Sequence, residues 1–218
     1  MPARPIIVLT GFGPFPGIPY NATQTLIPRL ANDTRALFPA YDVVAEILPT
    51  EWGVAPARLK VLFDAGNVAL VLHFGVAQDT KGFRLELVGR NLQTSLEDAA
   101  GNLPESSRVI EGGPDLLAST LPAERIAARL MGLGLPCATS DNAGTFLCNA
   151  LLYHSLAASR AAPSPRLAGF VHIPASLVGH GRDNREPHPD CPLDWKTAVL
   201  GGLEIIAACL EHIDEQST

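Results

Sequence analysis

The chain has 218 residues and a net charge of −6, with 47% apolar and 17% charged side chains. That balance suits one globular domain spanning residues 1–218 with a sizeable core, and it excludes a disordered chain. The acidic charge, with no basic cluster, excludes an electrostatic footprint for nucleic acid, and no apolar run approaches the ~20 residues of a membrane span. Met1 to Pro5 leads straight into a strand pattern, so no secretory signal is expected. The four cysteines, Cys137, Cys148, Cys191 and Cys209, are widely spaced without a CxxC pair. They do not read as a disulfide framework, and a reducing, cytoplasmic setting is the expectation.

In chain order, Pro5 to Thr10 reads as a buried strand, followed by a Gly/Pro-rich loop from Gly11 to Tyr20 and a short helix from Asn21 to Leu30. A second strand is expected over Tyr41 to Leu48, a helix over Val54 to Phe63, and a third strand over Val68 to Phe74. Gly82 to Leu92 is extended, with period-2 alternation. A helix over Ala123 to Met131 closes at Gly132, a short strand runs from Leu135 to Thr139, and a helix covers Thr145 to Ala158. Leu167 to Ile173 is another buried strand and Leu193 to His212 a closing helix. Proline-rich 161–165 and the segment 179–192 read as surface loops. Strands alternating with helices predict a single α/β domain: a twisted, mostly parallel sheet covered by helices on both faces.

Open α/β sheets gather their sites where loops leave the C-terminal strand ends. Three such exits hold chemically capable residues: the Gly11 to Asn21 loop, Cys148 and His172. Cys148 follows Ser140, Asp141 and Asn142, all good N-cap types, so a helix opening near Ala143 would put it in the first or second turn. Free backbone N–H groups and the helix dipole there favour a thiolate, the nucleophilic form. The alternative is an ordinary core cysteine. His172, just before Pro174, could take a thiol proton and return it to a leaving amine, or could be a core histidine bonded to backbone. Alternation puts Arg84, Glu86 and Val88 on one face of their strand. Glu86 could orient a histidine, as the third member of a triad does, or form a solvated pair with Arg84.

Four blocks in order carry a resemblance: Thr10-Gly11-Phe12-Gly13-Pro14-Phe15-Pro16-Gly17 with Asn21; His73-Phe74-Gly75-Val76 leading to Leu85-Glu86; Asp141 to Asn149 around Cys148; and Phe170-Val171-His172-Ile173-Pro174. Together they are similar to the signatures of pyroglutamyl-peptidase I, a cysteine peptidase family also called pyrrolidone-carboxyl peptidase. The resemblance spans about Val8 to Pro174, and the glycines of the first loop do not complete a nucleotide-binding motif. It implies a thiol exopeptidase that removes N-terminal pyroglutamate from peptides through a thioester. Cys148 would be the nucleophile, His172 the general base and acid, and Glu86 its orienter. Phe12, Phe15 and Phe146 would be aromatic walls for the flat lactam ring, with Asn21, Val76 and Leu147 beside them. Oxyanion-hole donors are expected among the N–H groups of 144–148 or the Gly11 loop. No cofactor or metal is implied, since no HExxH-like spacing occurs, and bacterial members of the family are often tetramers.

The chain also departs from the common bacterial pattern. Gly75-Val76-Ala77 stands where Gly-Gln-Ala is usual, Glu86-Leu87 where Glu-Arg is usual, and Leu96 near the position of a further arginine. Glu97 to Gly101 keeps only part of a Pro-Asp-Asn-x-Gly stretch. Arg90 is a candidate replacement for the lost positive charge, at a different spacing. Two rival classes remain: a non-catalytic relative that binds a peptide or metabolite in the same cleft, and a nucleoside-phosphorylase-like enzyme. The second would need an arginine-rich anion site, and the strand-end loops here are arginine-poor.

Overall fold

Strand and helix patterning resolves, in the computed structural model, into a central sheet between two helical layers; residues 3–64, 66–162, 166–178 and 186–216 are described. The first half runs β1 (Ile6–Phe12), α1 (Thr23–Leu37), β2 (Asp42–Leu48), α2 (Val54–Asp64), β3 (Val68–Ala77), β4 (Phe83–Glu86) and β5 (Val88–Arg90). The second half runs β6 (Leu116–Ala118), α3 (Ala123–Gly132), β7 (Cys137–Ser140), α4 (Leu147–Ala161), β8 (Leu167–Pro174) and α5 (Trp195–Gln216). The main sheet has the order β2-β1-β3-β8-β4-β7; β5 and β6 form a separate antiparallel pair. All neighbours in the main sheet are parallel except β4 and β8. The expected mostly parallel α/β domain is therefore the architecture found.

Strand alternation divides the core. Ile7, Leu9, Leu70, Leu72, Phe74, Phe83, Leu85, Val171 and Ile173 join buried residues of α1, α3 and α5 on one face. Val8, Phe12, Val71, Ala168 and Phe170 join α2 and α4 on the other. Gly75, Glu86 and His172 therefore belong to the α4 side of the sheet, because each is offset by one residue from a neighbour in the first cluster. This phase relation positions the site.

Several boundaries differ from the sequence expectation for physical reasons. The helix expected over Asn21 to Leu30 opens at Thr23 and continues to Leu37, since Leu26, Ile27, Leu30, Ala31 and Thr34 keep a buried stripe at helical spacing. The extended run from Gly82 to Leu92 is split between two sheets at Leu87. The three-residue β6 lacked any alternation long enough to read. The helix carrying Cys148 opens at Leu147, not near Ala143, and no side chain caps it. Ser140 and Asn142 spend their polar groups within the preceding turn instead, on Asn142 and Gly144. The expected loops over 161–165 and 179–192 fall partly outside the described residues, at 163–165 and 179–185, and Ala161 belongs to α4. Positions 1–2 of the N-terminal lead also lie outside them. Among the described residues no helix is long and apolar enough to cross a membrane.

Candidate active site

The three catalytic candidates come from three different elements. His172 sits two residues before the end of β8, 4% exposed, in register with Gly75 of β3 on one side and Arg84 of β4 on the other. Glu86, fully buried at the end of β4, accepts a hydrogen bond on Oε1 from His172 Nδ1 at 2.7 Å. Cys148 occupies the first turn of α4. Its sulfur packs over Gly75: a Cβ added there would lie 3.3 Å from Cys148 Sγ and 2.6 Å from Phe170 Cζ. Any larger residue at Gly75 would collide with the Phe170 ring and crowd the sulfur.

The route to Cys148 departs from the simple strand-exit expectation. β7 is parallel to β4, which opposes β8, so the chain leaves β7 heading against the strands that end at the site. It returns through 141–146, turning at Gly144, whose φ of +83° favours glycine. The unpaired N–H groups of the first helical turn then surround Cys148.

Charge is concentrated on this cluster. Burial alone would lower the His172 pKa, but the charge and hydrogen bond of the Cys148 sulfur, then those of Glu86, push it up to about 9. Burial would raise the pKa of Glu86; the hydrogen bond and charge of His172, with help from Ser140 and Arg84, outweigh that and hold the carboxyl below its usual range. Arg84 Nε donates to the same Oε1 at 3.0 Å. The Arg84–Glu86 pair expected from sequence therefore exists, but its carboxylate is buried rather than solvated and faces His172 as well. Arg90, the candidate for a replacement charge, donates instead to the Asp141 carbonyl.

Phe12, Phe15, Asn21, Val76, Phe146 and Leu147, the six binding candidates, line one small cavity of about 20 Å³ with Cys148. The centroids of Phe15 and Phe146 lie 6.1 Å apart. Phe12 is buried against Phe170. Asn21 also fixes the first loop: its Oδ1 accepts from the Thr23 backbone and its Nδ2 donates to the Gly13 carbonyl.

Sequence reasoning missed Thr50 and Gly75 as lining residues, and Trp52 behind them. Trp52 meets Phe146 edge-on at 4.9 Å, and its indole N–H donates to the Leu96 carbonyl. Asp98 caps the same turn from the 92–104 segment by accepting from the Trp52 backbone N–H. A lone tryptophan after a strand carries no motif, so only the fold reveals that it backs the cavity wall. Larger cavities lie elsewhere, between α2 and α4 and between α1 and α5. Neither contains Cys148, His172 or Glu86. Among the described residues no group of three or more His, Cys, Asp or Glu side chains could hold a metal ion.

The chain is similar along most of its length to known proteins. The family model described as pyroglutamyl peptidase matches residues 6–206. The pyrrolidone-carboxylate peptidase of Escherichia fergusonii is 32% identical over 209 residues, covering 95% of this chain and 94% of the relative. That of Erwinia tasmaniensis is 30% identical over 210 residues, covering 96% and 94%. Among solved structures, the pyrrolidone carboxyl peptidase of Fervidobacterium islandicum superposes with a TM-score of 0.80 at 27% identity, covering 96% of this chain and 99% of the other. The Thermococcus litoralis protein superposes at 0.83 with 23% identity, covering 97% and 96%, a likeness of fold. With the match running from the first strand into the last helix, the chain belongs to the pyroglutamyl peptidase family, a family of cysteine hydrolases.

Proposed function

We propose that this protein is a cysteine exopeptidase that removes the N-terminal pyroglutamyl residue from peptides, with Cys148 as nucleophile, His172 as acid and base, and Glu86 as the residue that orients His172. The observation that carries this reading is the convergence of the Cys148 sulfur, the His172–Glu86 pair and a cavity walled by aromatic rings.

In the proposed sequence the Cys148 thiolate attacks the pyroglutamyl carbonyl, forming a C–S bond and a tetrahedral oxyanion. The uncapped first turn of α4 supports stabilisation of that oxyanion by backbone N–H groups near Leu147 and Cys148. The imidazolium of His172 passes its proton to the leaving amine as the C–N bond breaks, leaving a pyroglutamyl thioester. Water, deprotonated by the now neutral His172, attacks the thioester and releases pyroglutamate. Glu86 accepts from Nδ1, which fixes the ring so that Nε2 is free for these transfers.

A lactam ring has apolar faces and a polar amide edge, which suits a slot between Phe15 and Phe146. The cavity has room for about one water, so the ring must part its walls. Phe15 and Phe146 are only half-buried while Phe12 and Leu147 are sealed in, so Phe15 and Phe146 are the walls that move. A working thiol needs a reducing compartment, which favours a cytoplasmic location.

The test is release of a fluorescent amine from a pyroglutamyl amide under reducing conditions, with a prolyl amide and Cys148→Ala as controls. The expected outcome is release from the pyroglutamyl amide alone, lost in Cys148→Ala by a factor of about 10³ or more. A folded wild-type protein that releases nothing would leave the second reading, a family member that binds in this cleft without catalysis.

A further inference from the structure

Glu86 is shared. Its Oε1 accepts His172 Nδ1–H at 2.7 Å and Arg84 Nε–H at 3.0 Å, and the Ser140 side chain gives the carboxylate further support. Both donors therefore meet on one oxygen, whose two lone pairs accept them together. Arg84 stands directly opposite His172 across the β4–β8 pair, with its side chain 21% exposed. Its other end is tied down, since Nη1 donates to both oxygens of Asp79 at 3.0 Å. A guanidinium held between two anions is a fixed cation in a fixed orientation, which a flexible lysine would not reproduce.

Such a cation has two consequences for the site proposed above. It holds the Glu86 carboxylate in the rotamer that meets His172. It also offsets part of the carboxylate's charge, so that the imidazolium is gripped less tightly than by a lone buried anion. We propose that Arg84 is a positioning residue that fixes Glu86 Oε1 and limits how tightly His172 keeps its proton, with Asp79 as its outer anchor. The inference rests on reading Cys148, His172 and Glu86 as the reacting set.

Among the described residues, few groups face His172. Cys148 approaches from α4, Glu86 and Arg84 from β4, and Ser140 lies beyond Glu86 in register on β7. Gly75 is its neighbour on β3, and Asp79, in the turn after β3, feels its charge. His73 stays neutral behind the Phe170 ring, which packs at a tilt against both histidines. Among the described residues of this group, Arg84 is thus the fixed positive charge.

The experiment follows proton loss from His172 by NMR of histidine-labelled protein, with the resonance assigned by His172→Gln. Alongside it runs the alkaline limb of kcat/KM on a pyroglutamyl amide. Arg84→Gln should raise the pH of proton loss by about half a unit to one unit. Arg84→Lys, which keeps the charge but not the fork held by Glu86 and Asp79, should return it only in part. Asp79→Asn frees the guanidinium's charge for Glu86 and should shift it the other way by less, because Asp79 is 79% exposed and screened, and the shift should fade at high salt. Merely structural roles for Arg84 would lower stability and leave the titration in place. An unmoved titration in a folded Arg84→Gln protein overturns the inference; if that variant does not fold, an unmoved titration in Asp79→Asn at low salt does so. Titrations that shift as stated in a protein that cleaves no pyroglutamyl amide would sustain Arg84's role and sink the proposed function alone.

Discussion

An imidazole sealed beside a carboxylate and a sulfur keeps its proton far longer than one in water. His172 is pushed up to about 9, so it is an imidazolium through the neutral range. That form is the acid a leaving amine needs. As pH rises through about 9 the acid is lost, and kcat/KM should fall there. Glu86→Gln removes an anion that favours the charged ring, so the fall should move to lower pH, toward the ordinary imidazole value. A pH–rate profile of both proteins checks this, and an unmoved limb would remove Glu86 from the mechanism. At this scale the grouping of Cys148, His172 and Glu86 was suggested by the four family-like blocks together; alternation alone put Glu86 on the same face as Arg84 and Val88. Arg84 was legible as a partner of Glu86 but not as a neighbour of His172, since burial and strand pairing are long-range facts. Trp52 was not legible at all, because its partner Phe146 lies far along the chain.

Helix α4 is held to the molecule by Asn149, the residue after Cys148. Its side chain is fully buried; Oδ1 accepts from the Arg90 N–H at 2.8 Å, and Nδ2 donates to the Arg90 and Leu92 carbonyls at 2.8 and 2.9 Å. One amide thus replaces the strand neighbour that β5 lacks on that side. Asn149→Ala leaves these backbone groups unpaired and should cost about 2–3 kcal/mol, read as a lower denaturation midpoint with unchanged m. The sequence placed this helix correctly but opened it several residues early. Three N-cap residues in a row suggested a start that the turn at Gly144 postpones. Elements with long apolar periodicity, such as β1, β3, β8 and α5, were legible to within a few residues. β6 was not, because three residues carry no period.

At the scale of the whole molecule, His73 bonds the two layers on the α4 side. Its Nδ1 pairs with Thr10 Oγ1 of β1 and its Nε2 with Ser155 Oγ of α4, both at 2.6 Å. Burial pushes its pKa down to about 3. The folded state keeps His73 neutral, whereas the unfolded chain takes up a proton below about 6.5, so stability drains away as pH falls between those values. Between pH 7 and pH 5 the loss attributable to His73 is about 2 kcal/mol. In urea titrations at the two pH values, His73→Asn should be the less stable protein at pH 7 yet should lose about 2 kcal/mol less on acidification. An identical acid loss in both would show that other groups set it. The parallel α/β class was legible from alternating strands and helices, but the strand order was not, since nothing local says that β8 inserts between β3 and β4.

That insertion has a temporal consequence. Among the described strands the one bearing His172 comes last in the chain, yet it occupies an interior position, with β3 on one side and β4 on the other. Until it arrives, the sheet exists as two halves, each ending in an unpaired edge, and the cysteine faces a gap where its partner will stand. The nascent polypeptide therefore carries Cys148 without the proton acceptor proposed for it, and exposed strand edges, until synthesis has passed Pro174. In the proposed mechanism, closure of the sheet and assembly of the Cys148–His172 pair become a single event that follows synthesis of β8.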